Sequence, residues 1–370
     1  MAKNKHQKNK TNMTPNLPGP PAPDPRAAAI AIHIQQRAAL RGKRVPLIQA
    51  LEAARKSRVI AYVTAARGLL MSQISMDAIR LFRDQVGNMG KIDQLDLLLI
   101  TRGGDTLAPL RLMSLLREFA KKVNVLVPYM AHSSGTLIAL GADEIVMGAM
   151  GELGPVDPSV ANQFNPVQET EDQQPAQAKI KPRPRIQISV EDVASYINFA
   201  KNNASLDADG MAKAHAALTE RVHPLAIGNI LRTHNLIRHL ARQLLAMHMQ
   251  DGKKEEIDAI VKSLTEELYA HNYVITRAEA PLLGLKAKRP TADVESLIWQ
   301  LYLQYEEALG IDRAVNLPQE LGSMAQRYLC YDLAVIETTA GGVVSSVAGT
   351  AKKNGNEVDF NLDSQGWQPF

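Results

Sequence analysis

The sequence predicts an α/β fold built from consecutive parallel βα units, and three observations carry that reading. Two apolar runs, Leu95 to Ile100 and Val123 to Pro128, have the length and composition of strands buried on both faces. Each leads into a turn of small residues, Thr101-Arg102-Gly103-Gly104-Asp105 and His132-Ser133-Ser134-Gly135. Each turn opens a segment with helical apolar spacing, and roughly thirty residues separate the turns, as a parallel crossover requires.

The remaining elements follow from local pattern. Arg37 to Arg58 reads as an amphipathic helix interrupted near Pro46, because proline brings no N–H and clashes with the preceding turn. Val59 to Val63 reads as the first core strand, and Ser75 to Val86 as a helix with Ile74, Ile79, Leu81 and Phe82 as its apolar contacts. The helix after the Gly-Gly turn is expected to bury Leu107, Leu110, Leu112, Leu115, Leu116 and Phe119, leaving Arg111, Arg117 and Glu118 in water. Thr136 to Ala142 is an apolar helix, Glu144 to Met147 a short strand, and Gly151 to Pro158 a bend. Residues 161–185 are Gln- and Pro-rich without apolar period and read as a mobile loop or strap. Helices are expected from Ser189-Val190-Glu191-Asp192 onward, over Leu206 to Leu218, Pro224 to Met249, Glu255 to Tyr269 and Thr291 to Gly310. Thr276 and Glu279 form a capping box for a short helix that Gly284 ends. Ala334 to Thr350 alternates weakly around Gly341-Gly342, the pattern of an added hairpin, and the tail from Lys352 reads as disordered.

Composition narrows the function. At 370 residues and 45% hydrophobic, the chain can bury one large core or two modest ones. The single cysteine, Cys330, excludes an intrachain disulfide and a cysteine-only metal site, which fits a reducing, cytoplasmic setting. Aromatic content of 5% argues against base-stacking platforms for single-stranded nucleic acid. Met1 to Arg44 holds nine of the 42 Lys and Arg and one of the 38 acids, a net +8 that leaves 33 basic against 37 acidic residues, or −4, elsewhere. The basicity therefore belongs to an N-terminal arm, polar and then proline-rich, for which a weak contact with nucleic acid, anionic lipid or a partner is conceivable. Neither an export signal nor a membrane span is legible.

The two turns carry the chemistry. A serine between a strand and a helix either caps the helix with its hydroxyl or presents that hydroxyl beside free backbone N–H groups. Adjacent glycines at a strand exit leave N–H groups unshielded by side chains, which an oxyanion hole needs. Gly-Gly alone usually marks only a turn, and the ordered pair of turns is the stronger signal.

The stretches TRGGD, AHSSGTLIALGADEIVM and GELGPVDP resemble the serine dehydrogenase proteinase family, relatives of signal peptide peptidase A in the Clp protease/crotonase superfamily. The resemblance is close over Ile100 to Pro158 and weaker to about Leu285. It implies a Clp protease/crotonase-like ββα spiral with additional C-terminal helices. The corresponding organisation is a disordered basic arm over 1–43, a catalytic domain over 44–310 and a partly disordered extension over 311–370. The implied activity is that of an ATP-independent serine peptidase acting on a peptide or protein and working as a homo-oligomer without cofactor. Carried over by residue, Ser133 is the nucleophile, the oxyanion donors are the N–H groups of Gly104 (or Gly103) and Ser134, and Gly135 completes the binding turn. Arg102 stands where the family has proline and Ser134 where it has glycine.

The proton acceptor is less defined. Signal peptide peptidases use a Ser/Lys dyad, and the resemblance puts the lysine at Lys181 or Lys179. Asp157 lies close to where Clp proteases place their catalytic histidine, although an Asp-Pro turn is the simpler reading. Of the histidines, His223 before Pro224 is the candidate base, and His132 is expected to pack against a neighbour. There is no H-E-x-x-H, Cys/His framework or carboxylate cluster for a metal, nor a G-x-G-x-x-G or pyridoxal-lysine motif for a dehydrogenase or dehydratase. Two other classes remain: a non-catalytic scaffold binding peptide along a strand edge, and a crotonase-like acyl-CoA enzyme, disfavoured because the Gly-Gly helix lacks a well-placed Glu.

Overall fold

The two apolar runs lie at the centre of an eight-stranded mixed sheet. In this computed structural model the described residues are 24–68, 70–156, 159–160, 163–166, 186, 188–249, 253–268, 273–355 and 357–370. The parallel half comprises β1 (Arg58–Thr64), β2 (Ile92–Ile100), β3 (Ala120–Val127), β4 (Glu144–Met147) and β5 (Ala287–Lys288), in spatial order β5-β4-β3-β2-β1. The antiparallel half continues from β1 through β6 (Gln326–Glu337), β7 (Gly342–Asn354) and β8 (Glu357–Pro369).

Strand β2 shows why its sequence is apolar without alternation. Leu97 and Leu99 enter the core on one face of the sheet, Leu98 and Ile100 the core on the other, as the two-residue period demands. The first face is covered by α2 (Asp77–Gly87), α3 (Ala108–Phe119), α4 (Ser134–Leu140) and α7 (Pro224–Ala246). The second is covered by α1 (Pro25–Arg55) and α9 (Ala292–Leu309). Above the C-terminal ends of the parallel strands, Met130–Ala131, Glu152–Leu153 and Ile275–Thr276 form a small three-stranded sheet. This central mixed sheet with packed helices is the ClpP-like α/β architecture that the motifs imply. Between α4 and α9 the chain adds α5 (Val190–Asn198), α6 (Ala208–Arg221) and α8 (Lys254–Lys262).

Three expectations are corrected. The helix expected from Arg37 begins at Pro25, with the Asp24 carboxylate accepting from the Arg26 N–H, and it runs unbroken through Pro46 to Arg55. Of the arm expected over 1–43, residues 25–43 are thus helix, and residues 1–23 lie outside the described part. Leu107, expected in the core, is about half exposed at the start of α3, because the helix begins only at Ala108. At the other end, the segment from Lys352 is not a disordered tail. It completes β7 and forms β8, so the extension after residue 310 supplies strands as well as helix and pairs with β1 of the same sheet.

The interior proline of α1 costs of order 3 kcal/mol. What holds the helix is a set of buried ion pairs and apolar contacts on both sides of the proline. Arg37 donates to both Asp332 oxygens at 2.9 and 2.7 Å and to Ser346 at 3.0 Å. Arg44 donates from Nε to Glu337 at 2.7 Å, and the Tyr305 hydroxyl donates to the same carboxylate at 2.9 Å. Beyond the proline, Ile48 and Leu51 are fully buried. Helix and hairpin are therefore bolted together although 293 residues separate Arg44 from Glu337.

Replacing Arg44 by Met removes the shortest ion pair of the buried Glu337 carboxylate, which keeps Arg41 Nε at 3.4 Å and the Tyr305 hydroxyl, and should lower the unfolding free energy in urea by about 1.5–3 kcal/mol. The double replacement Arg44→Met with Glu337→Met should recover most of that loss. A second consequence concerns acid. Burial raises the Asp332 pKa, but hydrogen bonds from His33 and Arg37 overcome it and hold the group at about 2. A carboxylate depressed in the folded state stabilises above its unfolded value of about 4 and loses that contribution as pH falls toward 2. Thermal unfolding of Asp332→Asn should accordingly show a weaker decline over this acid range than the parent.

Candidate active site

The site forms where β2 and β3 end side by side. The Thr101 N–H donates to Met130 O at 2.9 Å and the His132 N–H to Thr101 O at 3.1 Å, a parallel bridge that carries the two strand exits forward in register. The Thr101 hydroxyl is the hub of the first turn. It accepts from Thr64 Oγ1 at 2.8 Å and from the Gly103 N–H at 3.0 Å. The Gly103 carbonyl then accepts from Ile74 N and the Ile74 carbonyl from Asp105 N, each at 2.8 Å. Asp105 turns its carboxylate onto the N–H groups of Leu107 and Ala108, at 2.7 and 3.2 Å, and so starts α3.

Both glycines are required by space. Gly103 and Gly104 have φ of 114° and 151°. A Cβ on Gly104 would lie 2.2 Å from the Ile74 carbonyl oxygen, and one on Gly103 would lie 2.8 Å from Ser133 Cβ. No side chain fits between the first turn and the serine.

The second turn separates the roles of its two serines. Ser133 has φ 52° and ψ −113°, a strained conformation for a residue other than glycine, and although it heads α4 its hydroxyl does not cap the helix. The capping reading is therefore set aside. Half-buried Ser133 Oγ makes no hydrogen bond within the described residues. Ser134 is fully buried and its hydroxyl donates to the Gly104 carbonyl at 2.8 Å, latching one turn to the other.

The backbone donors divide in the same way. The Gly103 N–H is taken by Thr101 Oγ1, and the Gly135 N–H by the His132 carbonyl at 2.8 Å. Gly135 instead gives close packing, since a Cβ there would stand 2.6 Å from Thr101 Cγ2. The N–H groups of Gly104 and Ser134 meet no acceptor among the described residues. Of the four expected small-residue positions, these two have donors to offer a ligand.

A polar group flanks the serine. His132 Nε2 lies 3.0 Å from Glu152 Oε1, off the line of an ideal hydrogen bond, and the ring packs on Gly154. Burial lowers the His132 pKa; Glu152 opposes this, and the Arg102 charge reinforces it. Arg102, in the position that the resemblance gives to proline, donates from Nε to Asp312 Oδ1 at 2.9 Å. Asp312 itself adopts φ 58°. The turn is thus tethered by a charge pair reaching across 210 residues.

The expected bases are not all placed. Lys179, Lys181 and Asp157 lie outside the described residues, as does most of the loop expected over 161–185. His223 is occupied: its Nδ1 accepts from the Leu225 N–H at 3.1 Å at the start of α7, and its ring stacks on Phe164. Among the described residues no group of three or more His, Cys, Asp or Glu could hold a metal ion. No described helix is long and apolar enough to cross a membrane.

Sequence reasoning did not find Thr101 as the hub, nor Glu152 as the neighbour of His132 and Asp312 as that of Arg102. Replacing Ser134 with Ala should cost about 1–3 kcal/mol in chemical unfolding, because the Gly104 carbonyl loses its partner in a buried place. Ser133→Ala, which breaks no internal hydrogen bond and relieves none of the backbone strain, should stay within about 0.5 kcal/mol of the parent.

Residues 29–195 match the family described as ClpP-like SDH-type serine proteinase. Two uncharacterized proteins of Methanocaldococcus jannaschii are similar to the chain. One is 29% identical over 210 residues, 57% of this chain and 59% of its own length. The other is 26% identical over 283 residues, 74% of this chain and 80% of its own length. The match thus spans less than two thirds of the first relative. The matched segment contains β1 to β4 and both turns, and over it the chain is similar to that family.

Proposed function

We propose that this protein is a serine peptidase in which Ser133 attacks a peptide carbonyl while the N–H groups of Gly104 and Ser134 receive the oxyanion. The observation that carries the reading is the asymmetry of the two serines. One hydroxyl is consumed in holding the turns together, and the other is left unbonded at a strained, half-buried position beside the Gly-Gly turn. Strain of this kind persists where surrounding structure imposes it, and it keeps a hydroxyl from relaxing into a cap. Preorganised N–H groups need no rearrangement as negative charge develops on the carbonyl oxygen, which makes such donors worth several kcal/mol in a transition state.

The substrate is a peptide or protein, the family's chemistry requires no nucleotide hydrolysis, and a lysine or histidine moves the proton. Self-association is supported by apolar side chains that α5 to α7 and the adjoining turn leave in water, Phe199, Leu225 and Leu231 among them. A reducing, cytoplasmic setting is in keeping with the lone free Cys330, whose thiol burial pushes up in pKa and away from reactivity at neutral pH.

A fluorophosphonate probe tests the assignment directly. Wild-type protein should acquire one adduct, mapped to Ser133 by mass spectrometry, and Ser133→Ala should lose it completely. Ser134→Ala, once shown to be folded, should still label. An adduct on Ser134 would move the nucleophile by one residue, and a folded protein that never labels would favour the peptide-binding scaffold.

A further inference from the structure

We propose that the cavity along the open edge of β6 is a second binding site, which takes the C-terminal carboxylate of an extended peptide on Arg67. Nothing in it depends on Ser133 being a nucleophile.

The site arises from an incomplete strand pairing. Strand β6 pairs with β7 from Gln326 onward, but with β1 only over Ala334 to Glu337. The Leu333 carbonyl still accepts from Ala65 N at 2.7 Å, and before that residue no described backbone group bonds to β6 on the β1 side. The chain leaves this lane after Ala65 and turns back through the short pair Ala66–Arg67 and Leu70–Met71. What remains is a cavity of about 830 Å³, a size that holds a small ligand or a short stretch of peptide. Every residue from Gln326 to Tyr331 lines it, together with Glu320 and the first turns of α1. Consecutive residues, and not every second one, reach it because it runs along the edge of the strand. An unpaired edge accepts an extended peptide as an added strand, through main-chain groups that any sequence offers.

Arg67 supplies the selectivity. Its half-buried guanidinium packs on the Tyr331 ring, whose centre is 5.0 Å from the guanidinium carbon, and on Gly310, where a Cβ would stand 2.8 Å from that same carbon. Nε donates to the Arg313 carbonyl at 3.1 Å. The two terminal nitrogens meet no acceptor among the described residues, and no described carboxylate forms an ion pair with them. A guanidinium held in place with both terminal nitrogens unspent matches the two oxygens of a carboxylate.

The Tyr331 hydroxyl is a second unmet group. The residue is 6% exposed, and its buried oxygen has no partner among the described residues. Burial pushes this hydroxyl up to about 12, so it remains a donor at neutral pH. The groups that act on it through charge, Glu320, Arg67, Arg327 and Cys330, all line the cavity.

Charge decides between anions. Arg26, Arg67 and Arg327 share the lining with Asp24 and Glu320, an excess of one positive charge, and His33 is engaged by Asp332 at 3.0 Å. That balance suits one carboxylate better than a phosphate dianion set beside two acidic side chains. Ile32 and Met324, each about half exposed, add apolar surface for the last side chains of the peptide.

The test is binding of a fluorescein-tagged pentapeptide, Val-Ala-Val-Ala-Leu with a free carboxylate, to the full chain carrying Ser133→Ala, so that the proposed nucleophile cannot consume it. The same peptide as its C-terminal amide is the control. Alkylation of Cys330, the single cysteine and part of the cavity wall, reports where the peptide sits. The acid should bind saturably and slow the alkylation, and the amide should bind more weakly by about 10-fold or more. Arg67→Gln should lower affinity for the acid by about 10–100-fold, with Arg67→Lys between it and the parent because the charge survives and the fork does not. Tyr331→Phe should lower affinity by about 2–10-fold yet keep the urea midpoint at or above the parent's, since the free protein loses no hydrogen bond. Equal binding of acid and amide, binding without protection of Cys330, or parent-like affinity in folded Arg67→Gln and Arg67→Lys would overturn the proposal. So would inorganic phosphate competing as well as the unlabelled peptide acid, or no saturable binding up to about 1 mM. Fluorophosphonate labelling at Ser133 tests the other site, and either result there leaves this one standing.

Discussion

The site depends on two backbone turns being pressed together more closely than side chains permit. Parallel strands β2 and β3 deliver their exits in register, and the Thr101–Ala131 bridge carries that register one step past the sheet. Gly103 is the residue that touches Ser133, and Gly104 the one that touches Ile74. Once the turns meet, the Ser134 hydroxyl has a buried carbonyl to satisfy and cannot be spared for other chemistry. Ser133 is left with positive φ and a hydroxyl that meets no partner among the described residues. The Ser133 hydroxyl and the N–H groups of Gly104 and Ser134 are thus left over from a packing problem, without partners among the described residues.

The terminal regions belong to the same construction. Helix α1 and strands β6 and β7 meet through Arg37–Asp332 and Arg44–Glu337, charges taken almost wholly out of water. Pairs of this kind contribute little net stability against an apolar alternative, and much more to fixing which surfaces meet. Here they set the helix on the face of the sheet opposite α3 and α4. The chain beyond α9 then reaches the site itself, because Asp312 holds Arg102 at the start of the Gly-Gly turn. A proline restrains a turn by fixing its own φ, whereas an arginine restrains it only through a partner, and this chain supplies that partner. The pair is partly exposed, so its value lies in aim more than in binding energy.

The electrostatics beside the serine follow from burial. His132 is shielded enough that desolvation outweighs the Glu152 carboxylate, and Arg102 pushes the same way. His223 shows the contrast. It too sits at a helix start, but its Nδ1 is spent on the Leu225 N–H and its ring on Phe164.

The sequence by itself determined what depends on neighbours in the chain. Buried parallel strands were legible as unbroken apolar runs, helices as 3.6-residue periods, and the Gly-Gly and Ser-Ser-Gly turns as breaks between them, because each is a local balance of side-chain and backbone preferences. The resemblance of the two turns to a known family added the expectation that Ser133 and Gly104 share a site. Only the tertiary structure decided which serine hydroxyl is free, since that rests on the Gly104 carbonyl lying 2.8 Å from Ser134 Oγ. It alone decided that α1 passes through Pro46, where distant ion pairs outweigh a local penalty, and that the last residues pair as strands with an edge supplied by β1. Glu152 and Asp312 became neighbours of His132 and Arg102 for the same reason. Local propensity acts within a few residues, while burial and charge pairing act through space and are set by the fold as a whole.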